Sequence, residues 1–480
     1  MAARPLKRVA LPFVLLGALA VPHLGRSERA GAEVGDFFNV VAPAGADPWV
    51  YQHTDGRYYM TVTTGTNIVL RRSATLSGVG GGERKVVWTP PASGANGKNL
   101  WAPELHYLRE KWYVYYAADD GDTANHRMFV LENASADPFR GRFVNKGKVF
   151  DRASDRWAID GTVLEAGGKL YFLWSGWEGP EDVRQNLYIA PMSNPWTLAG
   201  RRVEIARPTH PWETRGGPPA VLEGPQVLVK GRSIHVVYSA AASWTDHYCL
   251  GLLTARAGSD LLDPSSWRKH PSPVFRSGNG VFGPGHGSFV KSPDGKEDWL
   301  VYHSARYSGS GWVRHVRAQP FSWNDDGTPR FGVPSPPNAP IRLPGGDPRR
   351  HRYEAEDAKL AGAARVSRHP GASLGAMVGS LDAPGSSVEF QVRVKEAAGY
   401  TLAVRFRNAS AGLAIATHKL RVNDRAQQDV RYEYSGKDTW SNAVLRVELT
   451  PGVNRVWFGK GERAAELDCL DVFPTQPTGP

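Results

Sequence analysis

The chain has 480 residues, which points to two to four domains. Its 41% hydrophobic and 22% charged residues exclude a disordered chain, and two cysteines, Cys249 and Cys469, exclude a disulfide scaffold or a CxxC zinc framework. The net charge is +11, of which residues 1–32 (five basic residues against Glu28) carry +4, leaving +7 with no dense Lys/Arg run, so nucleic acid is not expected as a partner.

Lys7-Arg8 precede a mostly apolar stretch from Val9 to Leu24, broken by Pro12 and Pro22. A basic start, a short apolar run and small residues after it describe a secretory signal peptide over residues 1–32. Ala18-Leu19-Ala20 and Ala30-Gly31-Ala32 are both cleavage candidates. A bilayer span needs roughly 20 uninterrupted apolar residues. No membrane span is therefore expected here or later. The expected product is a secreted, extracellular monomer, with both cysteines free and buried.

From residue 35 onward the chain repeats one plan. A small or polar cluster leads into a strand, then a Gly-rich or charged turn, then an aromatic strand. The aromatic strands start at Tyr58, Trp112, Leu170, Ile234 and Trp299. The turns before them carry Asp55-Gly56, Glu110-Lys111, Gly167-Gly168, Lys230-Gly231 and Asp294-Gly295. Gly and Asx tolerate the positive φ of hairpin turns. A recurring hairpin with room for two more strands is a propeller blade, and five repeats over 35–345 predict a five-bladed β-propeller. Between them, Gly78–Gly82 lacks the Lys-Ser/Thr of a phosphate loop and reads as a flexible turn, and Asp137-Pro138 reads as a turn.

Aligned on the aromatic strands, the residues that open each blade are Asp47, Trp101, Asp160, Glu223 and His286. The innermost strands of a propeller surround its axis, so these side chains should ring one end of the channel. Three carboxylates among aromatics suit glycoside hydrolysis: one acid protonates the leaving oxygen and one carboxylate activates water. A third carboxylate can orient the acid and hold its pKa up, because like charges resist joint ionisation. Trp101, Trp174 and Trp177 are candidate sugar-stacking faces. His106, Arg314 and Arg317 could contact sugar hydroxyls or neighbouring carboxylates, but read first as surface charges.

Ala46-Asp47-Pro48, Trp101-Ala102-Pro103-Glu104, Ile159-Asp160-Gly161 and Leu222-Glu223-Gly224-Pro225 together resemble the motif set of glycoside hydrolase family 43. Gly283-Pro284-Gly285-His286 with Glu297-Asp298-Trp299 is similar to its fifth blade. The resemblance implies an inverting hydrolase with Asp47 as general base, Asp160 as pKa modulator and Glu223 as general acid. It implies no cofactor for the chemistry, and His286 as a central residue near a calcium ion or water cluster. Pro208 to Gly224 is similar to exo-α-L-arabinofuranosidases of the family, which implies a plant polysaccharide or oligosaccharide as substrate. A β-xylosidase or exo-β-1,3-galactanase on the same scaffold, or a non-catalytic sugar-binding propeller, stands as the alternative.

Pro334 to Pro348 reads as a linker or closing strap. Residues 350–475 then alternate in short strands (388–392, 400–407, 445–449 and 455–458), predicting a jelly-roll-like β-sandwich. Tyr353-Glu354-Ala355-Glu356 and Leu467-Asp468-Cys469-Leu470 resemble carbohydrate-binding modules of families 6 and 35. That resemblance implies a structural calcium on Glu354, Glu356 and Asp468, and Trp440 as a sugar-binding aromatic. Glu466 stands where Asn is often found in those modules.

Overall fold

The computed structural model describes residues 31–181, 184–463 and 465–475. The expected signal peptide lies almost wholly outside them. No helix among the described residues is long and apolar enough to cross a membrane.

Each expected hairpin pairs antiparallel and recruits two outer strands. The second strands of the five blades are Tyr58–Thr61, Lys111–Asp119, Lys169–Trp177, Ser233–Ala240 and Asp298–Ala305. The first strands are Trp49–Gln52, Lys98–Leu108, Ala158–Ala166, Ala220–Lys230 and Phe282–Lys291. The second strands are buried on both faces because alternate side chains pack against opposite neighbours. Five hydrophobic clusters result, one in each gap between adjacent blades. The cluster holding both Tyr58 and Trp299 joins the fifth blade to the first, so the ring is closed.

The N-terminal segment completes that closure. Val316 exchanges backbone bonds with Ala42, and Asn39 bonds both backbone groups of Ala318. Asp36–Phe38 pairs with Pro340–Arg342, so part of the Pro-rich strap is a strand.

The C-terminal module is a β-sandwich of a seven-stranded and a five-stranded sheet around one apolar core. Its larger sheet takes Ala32–Val34 as an edge strand, paired with Arg350–Arg352. The N-terminal segment is therefore shared by both modules, which no local pattern announces. Phe38 lies under the guanidinium groups of Arg405 (3.7 Å) and Arg352 (4.5 Å). Asn442 Nδ2 donates to the carbonyls of Phe38 and Val40. The Gly78–Gly82 string is not a flexible turn: a Cβ on Gly80 would stand 2.0 Å from the Val41 carbonyl, and one on Gly81 2.2 Å from Val444. Glycine is needed there because the string packs against the Val41 carbonyl of the N-terminal segment and the Val444 side chain of the sandwich.

Candidate active site

Four blades share one irregularity on their inner strand. The register slips by one residue between Trp101 and Glu104, Ile159 and Thr162, Glu223 and Gln226, and Gly285 and Ser288. In each β-bulge the next residue is left-handed: Ala102 (φ 42°), Asp160 (55°), Gly224 (55°) and His286 (41°). Asp47, just ahead of its strand, has φ 54°. A bulge re-aims side chains and often sits beside a site, and Asp tolerates this conformation better than most residues. The ring is thus built on a shared backbone device, with a refinement of the expected alignment. Asp47, Asp160 and His286 occupy the left-handed position, whereas Trp101 and Glu223 sit one residue before it.

Asp47, Trp101, Asp160, Trp177, Glu223 and His286 line a single cavity of about 890 Å³. His286 Nδ1 stands 3.2 Å from Asp47 Oδ1 and 3.8 Å from Asp160 Oδ2. Asp47 Oδ2 accepts from Thr63 Oγ1 at 2.6 Å, and its Oδ1 lies 3.5 Å from Arg314 Nη1. Asp160 Oδ2 accepts from the Gly224 amide at 3.0 Å. Glu223 Oε1 accepts from the Tyr248 hydroxyl at 2.6 Å.

These surroundings drive the carboxyls apart. Burial opposes a charge on Asp47, but His286 and Arg314 outweigh it and hold the group well below the carboxylate range. Burial raises Asp160, with Glu223 and Asp47 adding to the rise against the opposing pull of His286. Burial also raises Glu223, against the pull of Tyr248, His286 and Arg314. Burial works against a charge on His286 too, yet the surrounding carboxylates prevail and raise it. His303 is pushed down to about 3 by burial and Arg314, so it is neutral, and its Nδ1 accepts from the Asp47 amide at 3.0 Å. The arrangement is one ionised carboxylate facing a buried pair that retains a proton.

Four expectations need correction. Trp174 is 4% exposed and does not line the cavity; it stacks on Phe172 and Tyr188 inside the gap between blades. Trp440 is 1% exposed, packed against Arg405 and His369, so it offers no sugar-stacking face. Arg314, His106 and Arg317 are not surface charges. Arg314 lines the cavity, His106 is buried on Glu104 at 2.9 Å, and Arg317 is buried with Nη2 on the Ser335 carbonyl. The Glu354, Glu356 and Asp468 set does not form an ion cradle here: Asp468 pairs with buried Arg405, and Ser373 bridges Asp468 Oδ1 and Glu354 Oε1, each at 2.8 Å. Burial pushes Glu354 up to about 7 and Asp468 up to about 6. Among the described residues no group of three or more His, Cys, Asp or Glu side chains is arranged for a metal ion.

Sequence reasoning passed over Tyr248, His303, Trp157, Trp244 and Trp312. Trp157 stacks on Trp177 at 4.8 Å, and Trp244 meets Trp312 edge-on at 6.0 Å. His303 lies in the fifth aromatic strand, Asp298–Ala305, and that placement is the one signal the sequence offered for it.

The pattern of "Glycosyl hydrolases family 43" matches residues 37–329. An extracellular exo-α-(1→5)-L-arabinofuranosidase of Streptomyces avermitilis is 42% identical over 341 residues, 68% of this chain and 70% of that protein. The crystal structure of an α-L-arabinofuranosidase from Lactobacillus brevis superposes with a TM-score of 0.60 at 39% identity, covering 63% of this chain and 98% of that one. An exo-β-1,3-galactanase structure from Phanerochaete chrysosporium covers 92% of this chain with a TM-score of 0.52 at 16% identity, a likeness of fold alone. The chain belongs to glycosyl hydrolases family 43.

Proposed function

We propose that this protein is a secreted, exo-acting α-L-arabinofuranosidase that removes terminal arabinofuranosyl units from plant cell-wall arabinan or arabinose-decorated polysaccharide. The observation that carries the reading is the division of charge in one cavity: Asp47 held ionised, Glu223 and Asp160 held toward the protonated form. The similar proteins that bear arabinofuranosidase names support the sugar specificity.

In this reading Glu223 protonates the glycosidic oxygen while Asp47 takes a proton from the water that attacks the opposite face of the sugar, inverting the anomeric carbon. Asp160 and Glu223 resist joint ionisation, so the buried pair keeps a proton for Glu223 to deliver, and the bond from the Gly224 amide fixes Asp160 one residue from the acid. Trp101, Trp157 and Trp177 form an apolar wall for the sugar face. A calcium ion in the sandwich or beside His286 would need carboxylates free of competing cations. Such an ion would compete with Arg405 for Asp468 and with Arg314 for Asp47.

Secretion fits the basic and apolar start of the chain. Gly31 packs against the Tyr353 ring and Ala32–Val34 is paired, so cleavage after Ala20 keeps the edge strand whole, whereas cleavage after Ala32 cuts into it. A panel of nitrophenyl α-L-arabinofuranoside, β-xyloside and β-galactoside, followed by arabinan, tests the reading. Turnover confined to the arabinofuranoside supports it; preference for the xyloside or galactoside overturns the substrate assignment.

A further inference from the structure

The 306–313 loop joins the second and third strands of the fifth blade and forms one wall of the catalytic cavity through Arg306, Trp312 and Val313. Arg306 reaches in two directions. Its Nε donates to the Arg314 carbonyl at 3.3 Å, and its Nη1 bonds Glu433 Oε2 of the C-terminal sandwich at 3.2 Å. The same Arg314 carbonyl accepts from the Gly45 amide at 3.4 Å, two residues before Asp47. One residue along, Tyr307 of the loop meets Tyr434 of the sandwich edge-on at 5.3 Å.

The loop's other supports come from the fourth blade. The Asp246 carboxylate accepts from Ser308 and from the Gly309 amide, and Trp312 Nε1 donates to Ser243 Oγ at 3.1 Å. Trp312 is 66% exposed although it lines the cavity, so its indole face is open to a ligand. On the sandwich side the loop is held by the paired contacts of Glu433 and Tyr434. Arg306 is 10% exposed and Glu433 28%, so the pair is shielded enough to fix a geometry. A pair of this kind contributes little to global stability. Its effect is to select one placement of a loop.

We propose that Glu433 is a positioning residue for the active site: acting through Arg306, it sets the cavity wall that receives the part of the glycan beyond the cleaved unit. The sandwich is then a constituent of the substrate site rather than only a tethered appendage. Its contacts reach the wall from outside and touch none of the reacting groups, so binding should depend on them more than chemistry does. The proposal rests on the reading of this cavity as the glycosidase site.

The test is a double-mutant cycle in the full-length enzyme on an arabino-oligosaccharide. Glu433→Ala should raise KM about three- to tenfold, the scale of coupling through packed contacts. The value of kcat should stay within about twofold and the thermal midpoint within about 2 °C. Glu433→Gln, which keeps an acceptor for Arg306, should recover most of the loss. In an Arg306→Ala background, Glu433→Ala should add nothing further, because the residue acts through that guanidinium. Full additivity, an unchanged KM, or a fall in thermal midpoint with unchanged kinetics overturns the proposal. Failure of the catalytic reading would appear instead as an active Asp47→Asn variant, which the cycle does not depend on.

Discussion

The Tyr248 hydroxyl donates to Glu223 Oε1 at 2.6 Å, while the Tyr248 ring lies parallel to His303, 11° apart in plane. The acid of the proposed mechanism is therefore held by a bond that favours its ionised form, against burial that favours the protonated form.

That opposition has a sign. Activity needs the proton on Glu223, so it is lost as pH rises through the raised pKa. Tyr248→Phe removes a donor to the carboxylate and should move the alkaline limb of the kcat/KM profile up by about one pH unit, from the usual strength of a bond to a charged group. A limb that stays put or moves down would contradict the role given to Tyr248.

Gly224 has φ 55°, and a Cβ there would stand 3.0 Å from His286 Cγ. Gly224→Ala must strain the backbone or displace the imidazole that touches Asp47 and Asp160. We expect kcat/KM to fall at least about tenfold, since small misplacements of catalytic groups are costly. Wild-type kinetics would show that the position of His286 is not critical.

The five hairpins were legible because the aromatic strands recur and four of the five turns carry glycine or Asx, both local properties; the turn at Glu110-Lys111 carries neither, although Arg109 and Glu110 have positive φ. The residues opening the blades were legible because Asp, Glu and His recur beside Pro and Gly. The Arg314–Asp47 contact joins the fifth blade to the first around the closed ring, and Tyr248 reaches Glu223 from the loop between the second and third strands of the fourth blade, so neither contact follows the hairpin spacing. Trp174 and Trp177 lie on one strand and in one apolar cluster, but only Trp177, at the end of the strand, reaches the cavity. Trp440 sat in a plausible string, but the sandwich turns that face onto Arg405.

Burial of Trp440 decides what Trp440→Ala should do. Loss of a large buried aromatic costs about 3–5 kcal/mol. The variant should lose thermal stability while its activity on polymeric and small substrates falls in parallel. A selective loss on polymer at unchanged thermal midpoint would restore a sugar-binding role for this residue.

The division of labour between Asp47 and Glu223 is tested most directly by the leaving-group dependence of Glu223→Gln. An acid matters most when the departing oxygen is a poor leaving group. On arabino-oligosaccharides the variant should lose roughly 10²–10⁴-fold in kcat, the range of acid–base catalysis. On a dinitrophenyl arabinofuranoside, whose phenolate departs without protonation, it should stay much closer to wild type. Equal losses on the two substrates would contradict the account.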